Sequence, residues 1–340
     1  MSISKRYGQF ILGILISLAA IAGIGLLIDP HDILSVLATA NLLEVILGAS
    51  AIVLYMFLRV VRWQYLLNNT VSLWQLFHIQ NIGYMLTQLL PFRVGDVARA
   101  VLVGRQEQAT TSQGILTMGV ERMLDMLLML LLLPLTLHKV PALPAWMQNA
   151  AWSSAVLLAT AVFILILITK YRPVVLRITS HILSFAPFLD KAVWQQRLDN
   201  LLTDLSSLLT WRKWLTLVLL TLITWGPIIV AYTRIMRAVQ LQPTWETAVF
   251  VMCVGAFSVA APSSPGQIGV FHAGVTAAMA LLGQPVAQSA ALALLYHAVN
   301  FMVMLLLGIV ALLVMNVEYS HIFVSMRAFV QKPSQKLSAS

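Results

Sequence analysis

Pro91-Phe92-Arg93-Val94-Gly95-Asp96-Val97 and Pro262-Ser263-Ser264-Pro265-Gly266-Gln267-Ile268 share one pattern, Pro-x-x-x-Gly-polar-aliphatic, 171 residues apart. Each follows a long apolar run. Proline removes a helical hydrogen bond and glycine admits backbone conformations other residues avoid, so both stretches read as interruptions of membrane helices. Breaks at matched positions of two halves are the usual sequence mark of a substrate site between repeats.

Composition sets the class. Of 340 residues, 60% are hydrophobic and 10% charged, and the mean hydropathy is +0.88. That leaves too little polar surface for a soluble domain of this size. Apolar segments fall near 10–28, 43–61, 73–90, 114–137, 150–169, 213–235, 245–261, 267–283 and 286–315. Several reach the roughly 20 residues a bilayer core requires, and their backbone groups are satisfied there only in helices. The expected fold is an all-α polytopic transmembrane bundle. Lys5 and Arg6 precede the first run, which is long and lacks a small-residue cleavage site before Asp29, so it reads as a retained span rather than a signal peptide. The single cysteine, Cys253, lies in an apolar run and excludes an intrachain disulfide.

Orientation follows from lysine and arginine, which cytoplasmic loops favour. If 73–104 dips in from the cytoplasmic side and 245–283 from the outer side, 17 basic residues collect on the cytoplasmic face, Arg59, Arg62, Arg93, Arg99 and Arg105 among them. Lys139, Arg234 and Arg237 fall outside and Arg122 within a span. The arrangement has about six full spans, two oppositely oriented re-entrant hairpins and cytoplasmic termini. Its halves, about 43–140 and 213–316, form an inverted repeat inside one transmembrane domain, 1–326. Ordinary spans kinked at proline are the alternative reading of the hairpins. Residues 171–211 join the halves; Val193, Trp194, Leu198, Leu201, Leu202, Leu205, Leu208 and Leu209 recur at helical spacing, as in a helix lying in the interface. The polar tail 327–340 reads as disordered.

A helix that starts at a break points unpaired N–H groups and a partial positive charge at it, which suits an anion. Ser264 and Pro265 resemble an N-cap and a first-turn proline, Asp96 is placed to cap the helix carrying Arg99, and Gly95 and Gly266 permit the turn. With Arg93 and Arg99 beside the first break, the simplest ligand is a lipid phosphate; as plain alternatives both arginines are cytoplasmic anchors. Glu121, Arg122 and Asp125 interrupt the apolar run from Ile115 to Leu137. Ionisable groups at that depth are costly and expect partners. Arg122 is expected to pair with one carboxylate and Arg93 with the other, in a substrate cradle or in a purely structural ion network. In the second half, His297 and Asn300 share a helical face and His272 follows the break; a histidine there can take up a proton. Two histidines without a carboxylate cluster make a poor metal site, and no metal or cofactor is expected.

Taken together, Asn81 to Leu90 with Pro91 to Arg99, Glu121-Arg122-Met123-Leu124-Asp125 and Pro262 to Phe271 resemble the lysylphosphatidylglycerol synthase transmembrane-region family of flippase-like membrane proteins. The resemblance covers nearly the whole chain. It implies a prokaryotic inner-membrane protein that moves an anionic phospholipid or an isoprenoid-linked lipid between leaflets, with membrane lipids as partners and an enzyme that makes the lipid as a candidate protein partner. Bifunctional members carry a soluble aminoacyl-transferase domain that this sequence lacks, so lipid aminoacylation is not expected. Members tend to carry an acidic residue where this chain has His272, so no carboxylate role is carried over to that position. Gly95-Asp96-Val97-Ala98-Arg99 also resembles the Asp-x-x-Ala-Arg of lipid phosphotransferases, but the further aspartates that would hold metal ions are missing, and no enzymatic activity is expected. A small-solute carrier fits the repeat as well. The net charge of +9 is spread along membrane edges rather than gathered for nucleic acid, so anionic lipid is the expected partner.

Overall fold

Asn41, Ser72, Thr110 and Thr244 each stand just before an apolar run, and each side chain accepts hydrogen bonds from the backbone of the turn that follows. These caps satisfy the donors that every helix start leaves open. Thr110 and Gln113 complete a reciprocal capping box. The computed structural model describes residues 17–19, 22–23, 29–90, 94–106, 108–140, 145–184, 195–196, 199, 202–203, 211–259 and 265–315. Within them, regular structure is helical throughout. The elements are α1 (Pro30–Ala38), α2 (Leu42–Leu66), α3 (Leu73–Leu89), α4 (Val94–Val103), α5 (Thr111–Thr136), α6 (Ala145–Lys170), α7 (Arg172–Ser184), α8 (Trp211–Ala238), α9 (Trp245–Ser258), α10 (Val270–Leu281) and α11 (Val286–Met315).

Among the described residues, α2, α8 and α11 are the helices long and apolar enough to cross a membrane; α9 and α10 are apolar but shorter. α5, 26 residues long, carries the three charges at its fourth and fifth turns. Most of the expected first span, much of the linker 185–210, the tail, and the motif residues Pro91, Arg93, Pro262 and Ser264 lie outside the described residues.

The packing has a two-part order. α2 runs antiparallel to α8, with Glu44 beside Arg234 (3.3 Å) at one end and Asn68 accepting from Lys213 (2.7 Å) at the other. Around this central pair four neighbour relations are matched: α2 with α3 and α8 with α9, α3 with α4 and α9 with α10, α4 with α5 and α10 with α11, α3 with α11 and α9 with α5. The turns match as well. Leu67–Ser72 and Val239–Thr244 both hold polar residues at positive φ, Asn68 and Asn69 in one and Gln240 in the other, and both end on a hydroxyl N-cap. The largest core cluster lies where α2, α8, α9, α10 and α11 meet, around Ile52, Met56, Ile235, Met252 and Leu292.

The two breaks are built differently. Gly266 has φ +70°, Gln267 +60° and Gly269 +89°, so the second break is a tight turn of left-handed residues. Its helix starts at Val270, with Gly269 as the N-cap; Pro265 sits earlier, in a single 3₁₀ turn over Pro265–Gln267, and does not open α10 as a first-turn proline. Gly95 is not a turn residue. It lies in the first turn of α4, and a Cβ there would fall 1.8 Å from the carbonyl oxygen of Gly83. Its small size lets α3 and α4 touch backbone to backbone.

Gly95→Ala is therefore expected to lower the thermal unfolding temperature in detergent, with a destabilisation of about 1–3 kcal/mol from overpacking. Gly119→Ala, where an added Cβ meets nothing within 4 Å, is expected to be neutral or slightly stabilising, since alanine is the better helix former. Equal midpoints for the two variants would remove the close approach from the account of the fold.

Candidate functional site

Arg59 and Arg62 are three apart on α2, Glu121 and Asp125 four apart on α5, so each pair shares a helical face. Packing turns the two faces toward each other. Arg59 donates through Nε (2.8 Å) and Nη2 to Glu121 Oε1, and Arg62 Nη2 reaches the same oxygen at 3.1 Å. Arg62 Nη1 donates to Asp125 Oδ1 at 2.7 Å and to Thr221 at 3.1 Å. Arg99 crosses from α4 to Glu121 Oε2 at 3.3 Å, its guanidinium 4.3 Å from the centre of the Trp63 ring. Trp225 of α8 donates to Asp125 Oδ1 at 2.8 Å. Glu121 and Arg99 are each 1% exposed and Arg62 0%.

Charges removed from water this completely persist only when partners replace the solvent. Here three arginines face two carboxylates, an excess of one positive charge. Nε of Arg62, Nε of Arg99 and the Tyr84 hydroxyl are buried without a hydrogen-bond partner among the described residues.

Several sequence expectations change here. Arg122 pairs with neither carboxylate of its own helix: it turns outward, 41% exposed, with Asp96 at 3.6 Å. Asp96 thus faces Arg122 across the α4–α5 contact. The carboxylates take Arg59, Arg62 and Arg99 instead: the first two are placed by the sequence on the cytoplasmic rim, and Arg99 either there or beside the first break as a phosphate ligand. The reason is geometric. An arginine at the membrane end of a span is read as an anchor when only one helix is considered, whereas the last turns of α2 lie against α5 and inside the bundle. Arg59 and Arg62 escaped notice as site residues, although their spacing on α2, three apart in the last turns of an apolar helix, was a usable signal.

Beside the cluster a cavity of about 240 Å³ opens among α2, α5, α8, α9 and α11. Arg59, Arg122 and Asp125 line one wall and His297 and Asn300 of α11 another. Tyr55, Trp225, Tyr232, Phe271 and Tyr296 supply an aromatic surface, and Met126, Met129, Met252 and Met304 an adaptable one. Tyr232 stacks on Tyr296 with ring centres 4.0 Å apart. Described residues next to each break reach this cavity. Gln88, at the end of α3, and Gln267 of the second break both line it, and a Cβ on Gly266 would lie 3.4 Å from the Gln88 carbonyl oxygen.

Of the residues singled out from sequence, Arg122, Asp125, His297 and Asn300 face the cavity, and Glu121 and Arg99 stand behind it in the ion cluster. His272 is buried beside it, its ring centre 4.8 Å from that of His297, and its Nδ1 accepts from the Gly269 N–H at 3.2 Å. That hydrogen bond holds the start of α10. Among the described residues no three His, Cys, Asp or Glu side chains converge as a metal site.

The family described as "Lysylphosphatidylglycerol synthase TM region" matches residues 10–308 of the chain. No curated protein matches it, and no solved structure does.

Removing Glu121 takes a carboxylate from three guanidiniums at once and leaves Arg99 without any, while Arg59 and Arg62 keep Asp125. Glu121→Ala is expected to cost about 3–5 kcal/mol, read as a large fall in unfolding temperature in detergent, while Arg122→Ala at the cavity rim stays within about 1 kcal/mol of wild type. Comparable losses in the two variants would contradict the division between buried network and accessible arginine.

Proposed function

Because the chain belongs to the lysylphosphatidylglycerol synthase transmembrane-region family, whose name ties this integral membrane protein to lipid handling, we propose that it is a flippase that carries an anionic phospholipid or isoprenoid-linked lipid between leaflets. The observation that carries the reading is the cavity between the halves, where basic side chains, a break and an aromatic–methionine surface meet. Arg122 is the arginine best placed to take a phosphate. Its pairing with Asp96 is long and half exposed, so a doubly hydrogen-bonding phosphate competes well for its guanidinium. Arg59, already held by Glu121 and Tyr55, adds fixed positive potential without needing to move. The apolar tail remains in contact with bilayer while the head group crosses inside the protein, which avoids the cost of dragging a phosphate through hydrocarbon.

The paired neighbour relations and matched turns support reading the helices as an inverted repeat, with α3–α4 and α9–α10 as two re-entrant hairpins entering from opposite leaflets. In such a frame, rocking of one half against the other exposes a central site to each side in turn. The cytoplasmic excess of lysine and arginine supports an inner-membrane orientation with both termini inside; burial of Arg59, Arg62 and Arg99 takes three residues out of that tally and leaves its sign unchanged. The sequence contains no G-x-x-x-x-G-K-[ST] loop, so an ion gradient, a partner or the lipid's own concentration difference drives movement. The lipid leaves chemically unaltered.

Leaflet-resolved transport of fluorescent phosphatidylglycerol in proteoliposomes tests this. Wild-type protein is expected to accelerate exchange between leaflets with the lipid mass unchanged, and Arg122→Gln to slow it at least about tenfold while remaining folded. A chemically altered lipid would instead indicate an enzyme, and solute uptake without lipid movement a carrier of small molecules.

A further inference from the structure

The cavity has a charge imbalance with consequences for protons. Its α2–α5 wall backs onto a cluster with one positive charge in excess; its α11 wall presents His297, whose ring neighbours among the described residues are Phe271 (5.5 Å) and His272 (4.8 Å). Both carboxylates already have partners: Glu121 is shared by Arg59, Arg62 and Arg99, and Asp125 accepts from Arg62, Arg59 and the Trp225 N–H. His272 is committed as well. Its Nδ1 accepts from Gly269, which places its own proton on Nε2 and keeps it neutral. The remaining titratable and charged groups facing the cavity are Tyr55 and Arg59 from α2, Arg122 and Asp125 from α5, Tyr232 from α8 and Tyr296 from α11. Among the described residues, α1 and α3 bring none to its wall. Among the described residues no hydrogen bond commits either ring nitrogen of His297, and imidazole is the side-chain type on this wall that ordinarily changes charge nearest neutral pH.

In the empty cavity, a proton on His297 adds positive charge opposite an already positive wall. A phosphate seated between Arg122 and His297 removes that penalty. Each charge then favours the other, and the favour is reciprocal by linkage.

We propose that His297 is the coupling-ion site of the cavity, binding one proton together with each anionic head group, so that lipid and proton cross as a pair. This rests on the lipid-transport reading above. The balance is simple: the imidazole gains a proton from the side on which the head group enters and returns it on the side where the head group leaves, with no covalent change in either. The pair also carries less net charge across the membrane than the phosphate alone.

The test is calorimetric titration of the detergent-solubilised full chain with dihexanoyl phosphatidylglycerol, in buffers of different ionisation enthalpy. The phosphodiester keeps a single negative charge throughout pH 6–8, so any proton change belongs to the protein. Wild type is expected to take up a fraction of a proton approaching one per head group and to bind about tenfold more tightly at pH 6 than at pH 8. His297→Gln is expected to lose both the proton uptake and the pH dependence, whereas His272→Asn, which keeps an acceptor for Gly269, is expected to retain them. Lipid binding in wild type with no proton uptake and a flat pH profile overturns the coupling while leaving the lipid reading intact. Unchanged pH dependence in His297→Gln overturns it too, and absence of binding at every pH removes the lipid reading on which it stands.

Discussion

Five charged side chains buried between α2, α4 and α5 constrain the rest of the structure. None of them tolerates isolation from water. Their shared hydrogen bonds oblige the last turns of α2, the body of α4 and the fourth and fifth turns of α5 to stay in register, and Thr221 and Trp225 extend the demand to α8. Apolar packing alone is permissive, because neighbouring surfaces of leucine and valine slide at little cost. A guanidinium that must find a particular carboxylate oxygen is not permissive in that way. The close approach of Gly83 and Gly95 belongs to the same constraint, since a side chain at Gly83 would occupy the space taken by the Arg99 stem.

The network also defines the cavity beside it. Arg59 and Asp125 belong to both, so the wall that meets a ligand is held from behind by groups that never meet it. Such support keeps the charged wall in place at little cost in side-chain freedom when a ligand binds. Arg122 stands apart. It is on the same helix, one residue from Glu121, but points to the rim and Asp96. Adjacent positions on a helix face different directions, so one short motif supplies both a locked interior group and an accessible peripheral one.

The sequence pairs its two Pro-x-x-x-Gly stretches as matching breaks, but the structure gives their glycines different tasks. Gly266 turns the chain at positive φ, while Gly95 brings two helices together inside regular helical geometry. Better-matched features lie elsewhere: two six-residue turns with left-handed polar residues, each ending on Ser72 or Thr244 as cap. They were hard to find beforehand because asparagine and glutamine in a turn look like any polar loop until the backbone is known.

Read alone, the sequence determined that the chain is a helical membrane protein, where most of its helices run, that two of them are interrupted, and that Glu121 and Asp125 sit where they need partners. Those conclusions depend on composition, on periodicity and on the cost of polar groups in hydrocarbon, which are properties of single segments. Only the tertiary structure decided which partners they have. Arg59 and Arg62 lie 59 to 66 residues from the carboxylates they bind, and helical spacing carries no information across that distance. The same holds for His297, which lines the same cavity as Arg122 because α11 packs against α2, α3 and α10, a placement set by the fit of side chains between helices and by no pattern within either one.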